Sequence, residues 1–409
     1  MAEEKQGKSI RNVGILDLRS VAEETLEGIR YIGNVGVLLT SAQTTGLAAK
    51  LNMGNVGVSI EASLEARLVN GQEIFGKESF KQRSEPLELI VNGQAIFAAD
   101  IPVEDVEKAL GKLWVNGQIL YPENLEGVIQ SKLQHLNGQA KSYAQFPRAV
   151  VGNVTLDENY LRSLDDSSEM VIVGNLQATS VLPGDLLVQK IQRLQVIGKM
   201  IVREENSEHL ISCLDDKGGL TRVTTIPEGH VYVENSIVLD TDLLNALPGR
   251  KLYCTRAVQI APDAEAEALE KNLDSLVIKG LLVCPAALKG MVSGKCDLLE
   301  TKAVFYEGEL WLVEDESVLR ASRFDYLEGK ATLVNKGELT IAPDVEPGIL
   351  AGRLEKIHNV GEIFCTPEQM GAIQARLGMS GGELVDATQE KEEDEGDEAA
   401  IGNAGYLKL

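Results

Sequence analysis

The chain has 409 residues, of which 44% are hydrophobic and 25% charged, and its net charge is −23. That length fits two or three ordinary domains or one long array, and the acidity argues against nucleic acid as a direct partner, because phosphate contacts need basic patches. No run nears the roughly 18 apolar residues that span a bilayer, so no membrane insertion is expected.

In chain order, residues 1–12 read as a polar segment with no apolar stretch behind it, so a secretory signal is not expected. The first strand-like text is Val13-Gly-Ile-Leu-Asp-Leu18. A short signature then recurs, with Asn and Gly side by side between apolar residues. It places Asn34, Asn55, Asn70, Asn92, Asn116, Asn137, Asn153 and Asn175 at intervals of 21, 15, 22, 24, 21, 16 and 22. Recurrence of this kind marks a repeat architecture.

The long intervals contain helical text. Val103, Val106, Leu110 and Leu113 recur at threes and fours, one face of a helix over 102–113. Segments 122–133 and 183–194 read the same way. All three open on Pro, which suits a first helical turn. The short intervals lack this insert. Asn and Gly both tolerate positive φ and so permit a sharp bend. Such a dipeptide is either a corner between parallel strands or the turn of a β-hairpin. The regular intervals, and the exchange of Asn-Gly for Gly-Asn, favour the corner. Stacked at one corner, the eight asparagines would form a hydrogen-bonded ladder.

The signature loses its Asn after Asn175 but keeps its rhythm through Gly280, Gly294, Gly308, Gly329 and Gly361. Helical inserts return near 264–273, 346–357 and 367–377. The expected fold is therefore an α/β repeat solenoid: parallel β coils of 14–16 residues mixed with strand–helix coils of 21–24 residues. It forms a single array over 13–382, uncapped at its first coil. This architecture resembles the leucine-rich-repeat class of α/β solenoids, and its short coils resemble bactofilin-type β-solenoids, which form cytoskeletal filaments. Neither resemblance carries site residues over.

Two interruptions draw attention. Near 199–234 the rhythm fails, and Asp215-Asp216-Lys-Gly-Gly219 gives a turn signal between strand-like flanks. A projecting hairpin is expected there, with Asp215 and Asp216 as candidate partner contacts. Residues 383–398 carry nine acids against Lys391, so 383–409 reads as a disordered acidic tail. It ends in a short apolar peptide whose Tyr406, Leu407 and Leu409 are candidate partner contacts.

Catalytic signatures are missing from the text. Gly290-Met-Val-Ser-Gly294-Lys295-Cys296 is one residue short of a phosphate loop and has Cys where Ser or Thr is needed. His209 and Cys213 lie four apart, too few ligands for zinc. The five cysteines, an odd and unpaired count, fit reduced thiols in a cytoplasm. No catalytic residue, cofactor or metal is therefore assigned. The expected function is a non-enzymatic scaffold or interaction protein, self-assembling through its first coil or binding another protein. The alternative is a carbohydrate-active or other enzyme on a β-helix.

Overall fold

The computed structural model describes residues 8–10, 12–81, 85–216, 219, 221–387 and 404–409. Every strand pairing with a determined register is parallel, and the strands fall into several separate sheets rather than one continuous coil. The chain divides into two compact units, residues 1–225 with 397–409, and residues 226–396.

The first unit shows why the repeat text folds this way. Strands Arg67–Phe75, Leu87–Phe97, Leu110–Pro122 and Leu133–Tyr143 form one four-stranded sheet. Asn70, Asn92, Asn116 and Asn137 stand in register across it, and so do the glycines that follow them. Asn-Gly is therefore a bend within a continuous strand and not a hairpin turn. Gly117 shows the requirement: its φ is +134°, and a Cβ there would lie 2.1 Å from the Gly93 carbonyl oxygen. Only glycine allows successive backbones to approach so closely in that conformation.

The apolar residues on either side of the bend form the core. Val91, Ile96, Val115, Leu120, Val173 and Val196 are all buried. The helices lie where their periodicity puts them but are shorter. They cover Val103–Ala109, Glu126–Lys132 and Gly184–Lys190 in the first unit. In the second they cover Ala266–Asn272, Pro347–Arg353 and Pro367–Gln374. In the first five of these the next residue, Leu110, Leu133, Ile191, Leu273 or Leu354, is already extended and opens the next strand. A leucine or isoleucine that continues the helical period thus serves as the strand's first buried or half-buried residue.

In the second unit, from Glu309 onward, each repeat gives one strand to each of two sheets. Glu309–Val313, Ala331–Asn335, Leu354–Asn359 and Leu377–Ser380 form one sheet. Ser317–Leu319, Glu338–Ile341, Glu362–Cys365 and Glu383–Asp386 form another.

Several expectations need correction. Lys8–Ile10, within the segment read as polar, is a strand paired with Ile29–Ile32. The segment read as a projecting hairpin is one more repeat. It holds the helix Glu204–Ser212, followed by the strand Thr221–Ile226, which pairs with Ile191–Arg203. The acidic Glu204-Glu205 pair, which reads as loop, opens this helix and suits its first turn. Glu383–Asp386, counted in the tail for its charge, pairs with Glu362–Cys365 because Leu384 and Val385 continue the apolar rhythm. The rest of the acidic run, from 388 to 398, lies with 399–403 outside the described residues. Among the described residues no helix is long and apolar enough to cross a membrane.

Candidate functional site: the edge of the first repeat

The first sheet has the order Ala404–Lys408, Val13–Asp17, Val35–Thr40, Val56–Glu61. The first repeat is therefore not uncapped: a strand from the far end of the sequence covers its edge. Its register pairs Val13 with Ala404, Ile15 with Tyr406, Leu16 with Leu407 and Asp17 with Lys408. The Ala404 amide donates to the Asn12 carbonyl at 2.9 Å, and the Leu409 amide to the Asp17 carbonyl at 3.1 Å.

The fit is set by small residues. Gly14, Gly36 and Gly57 stack beneath Gly405. A Cβ on Gly14 would lie 2.5 Å from the Gly405 carbonyl oxygen, and one on Gly36 would lie 2.6 Å from that of Gly14. Beside this column Asn34 donates to Asn12 at 2.9 Å and Asn55 to Asn34 at 3.1 Å. On the inner face, Leu407 and Leu409 pack against the cluster containing Val13, Leu16, Leu18 and Val35.

A buried ion pair locks the sheet's end. The Arg19 guanidinium grips Asp17 with two bonds, Nε to Oδ1 at 2.9 Å and Nη2 to Oδ2 at 2.8 Å. Its remaining nitrogen donates to the carbonyls of Ser63 and Ala66. The Tyr406 hydroxyl donates to Asp17 Oδ2 at 3.0 Å. Burial by itself raises the Asp17 carboxyl, but the bonds and charge of Arg19, with the Tyr406 hydroxyl, outweigh it and hold the group below its ordinary value. Such a buried pair is stable only when its remaining hydrogen-bonding sites are filled. Tyr406 fills one of them and is itself 44% exposed.

The other residues singled out by the sequence fall elsewhere. The asparagines stand in three hydrogen-bonded columns. Asn34 and Asn55 share the first with Asn12. Asn70, Asn92, Asn116 and Asn137 make the second, with bonds of 3.0, 2.6 and 2.7 Å. Asn153 and Asn175 make the third, at 2.9 Å. Asp215 is engaged within the chain by Arg193 at 2.6 Å, and Asp216 accepts the Thr221 amide at 3.1 Å. Asp215 is thus tied to the strand Ile191–Arg203 and Asp216 to the start of Thr221–Ile226.

The phosphate-loop lookalike is the short helix Lys289–Ser293 and its exit, where Lys295 donates to the Glu270 carbonyl. The His209 ring lies against the Ile191 carbonyl at 3.0 Å, while the Cys213 thiol donates to Leu210. Burial pushes the Cys213 and Cys365 thiols up to about 11 and those of Cys254 and Cys284 to about 12. At neutral pH these thiols are protonated and poor nucleophiles.

Sequence reading missed two features. Ile401-Gly402-Asn403-Ala404-Gly405 repeats the text Ile32-Gly33-Asn34-Val35-Gly36. That match is a signal in the text, although the acidic composition of 383–398 outweighs it in a windowed reading. The second feature is Asn335, followed two residues later by glycine like its buried partner Asn359, whose Asn359-Val-Gly361 already reads as an echo of the signature. No family model matches this chain, and neither a curated protein nor a solved structure matches it.

Proposed function

We propose that the chain is a non-enzymatic interaction scaffold, built as an α/β solenoid of stacked repeats, whose first repeat is a strand-addition site. The observation that carries this reading is the pairing of 404–408 with Val13–Asp17. Strand addition is a general mode of peptide recognition: backbone hydrogen bonds supply affinity, and side-chain fit supplies specificity. Both ingredients are at this edge. It offers the carbonyls of Asn12 and Asp17, the close approach allowed by Gly14, and a buried carboxylate that accepts the Tyr406 hydroxyl. The resident occupant is the chain's own last strand, and the working surface is the edge of a stacked array, which repeat proteins otherwise shield with caps.

Amide hydrogen exchange of the whole chain tests this. Amides of 404–409 are expected to be protected, and Gly14→Val, which drives a side chain into the Gly405 carbonyl, is expected to remove that protection and little else. Free exchange of 404–409 in the unsubstituted chain would overturn the reading.

A further inference from the structure

The strand-addition reading leaves open whose strand fills the site. We propose that the edge of Val13–Asp17 also accepts residues 404–409 of a second copy of this chain, so that two copies exchange strands reciprocally. The inference rests on the strand-addition reading and adds the identity of the partner.

Three observations carry it. First, the donor is repeat text. Ala404-Gly405-Tyr406-Leu407 occupies, against Val13–Asp17, the register that Val13–Asp17 itself occupies against Val35–Thr40. The site is shaped for this sequence: glycine faces glycine, and Leu407 enters the apolar cluster beside Leu16.

Second, the contact does not depend on chain neighbourhood. The strands that pair in the stacked sheets lie about a repeat apart in sequence, whereas Tyr406 and Asp17 are 389 positions apart. Residues 388–403 separate the last strand from Ala387, and that many residues span at most about 55 Å. The strand's partner is thus chosen by reach and by fit.

Third, each copy brings one donor and one acceptor, and these are different surfaces. Exchange in both directions closes a two-fold pair, and every contact made within one chain is remade between two. Because the contacts are the same, the balance between the two arrangements is set by the effective concentration of a chain's own strand at its own edge. The exchanged pair therefore grows with protein concentration.

Two full-length variants make the test sharp. Gly14→Val keeps the donor strand and blocks the acceptor, because the three atoms nearest a Cβ at that position all belong to Gly405. Leu407→Pro keeps the acceptor and disables the donor, since proline removes an amide and fixes φ. Each alone is expected to sediment with the mass of one chain, 44.3 kDa. Mixed, they are expected to form a one-to-one complex of twice that mass. A mixture that stays at the single-chain mass up to hundreds of micromolar, with both variants folded by circular dichroism, would overturn the inference.

Should either variant unfold, cysteines at register partners serve instead, with Val13→Cys in one copy and Ala404→Cys in another. A disulfide between copies, increasing with concentration, is expected on oxidation, and its absence at the highest concentration would also overturn the inference. The two levels fail differently. If 404–409 exchange freely in the unsubstituted chain, the strand-addition site itself is lost. If they are protected but no link between copies forms, only strand exchange between copies is lost.

Discussion

The exposed asparagine column of the first unit and the buried asparagine pair of the second use one residue type for two purposes. Asn70, Asn92, Asn116 and Asn137 run along an exposed to half-buried rim, each bonded to the next along the column. Asn335 and Asn359 are fully buried. Asn335 donates to Asn359 at 2.9 Å and to the Glu362 carbonyl at 2.9 Å, and Asn359 donates to the Glu383 carbonyl at 2.9 Å. Water competes with every bond of the rim column, so each adds little net stability. Within the core nothing replaces a lost donor, and the same amide becomes a tie between one sheet of the second unit and its neighbour. A ladder's weight thus follows from burial and not from the bond itself.

The largest effect should come from the apolar residue beside the rim column. Val115 is fully buried one position before Asn116. Val115→Asp places an unpaired charge in the core at a cost of about 4 kcal/mol or more, a large fraction of a typical domain's stability. The first unit should lose its cooperative thermal transition in calorimetry. A variant melting within a few degrees of the unsubstituted chain would place Val115 outside the core.

Next is the buried pair. Asn335→Leu leaves the Asn359 side-chain oxygen and the Glu362 carbonyl without this donor, at about 2–3 kcal/mol. One offsetting gain is that it also removes Asn335 Oδ1, a buried acceptor with no partner of its own. Urea unfolding of the second unit should show the loss. Asn116→Ala in the rim column should reduce stability by only about 1 kcal/mol. Equal losses at Asn335 and Asn116 would break the comparison.

The smallest effect is a pH dependence confined to the buried pair's strand. His358 precedes Asn359 and accepts the Met379 amide on Nδ1 at 3.0 Å. Burial, helped by the Lys356 charge, holds His358 below its ordinary value of 6.5. A base whose folded value is depressed contributes stability that is full above the unfolded value and is lost as pH falls through the folded one. The second unit should therefore weaken as pH falls from about 6.5, while the rim column, which has no titrating group, should not respond. Replacing His358 by Asn should flatten that slope; an unchanged slope would assign it to another group.

Much of this architecture is legible in the text, and the limits have physical causes. The rim column can be read because Gly71, Gly93, Gly117 and Gly138 all need positive φ, which keeps Asn-Gly in register with the fold. The burial of Asn335 and Asn359 cannot, because Thr332-Leu-Val-Asn335 looks like any core strand and burial has no local signature. Periodicity overextends the helices because Leu110 and its counterparts satisfy the helical period and the strand's inner face equally. The strand at 404–408 was hidden by the acids before it, since composition averages over a window while pairing depends on individual residues. Nothing local marks the division after Thr225, because repeat text runs through both units.

The central claim is that the chain's last strand closes the edge of its first repeat. Oxidation of a single chain carrying both Val13→Cys and Ala404→Cys, at low concentration, tests it most directly. Register partners on adjacent strands lie within disulfide reach. The account predicts rapid and nearly complete closure of a 13–404 link within one chain, located by peptide mass mapping. Persistence of both thiols, or their pairing only with other cysteines, would contradict it.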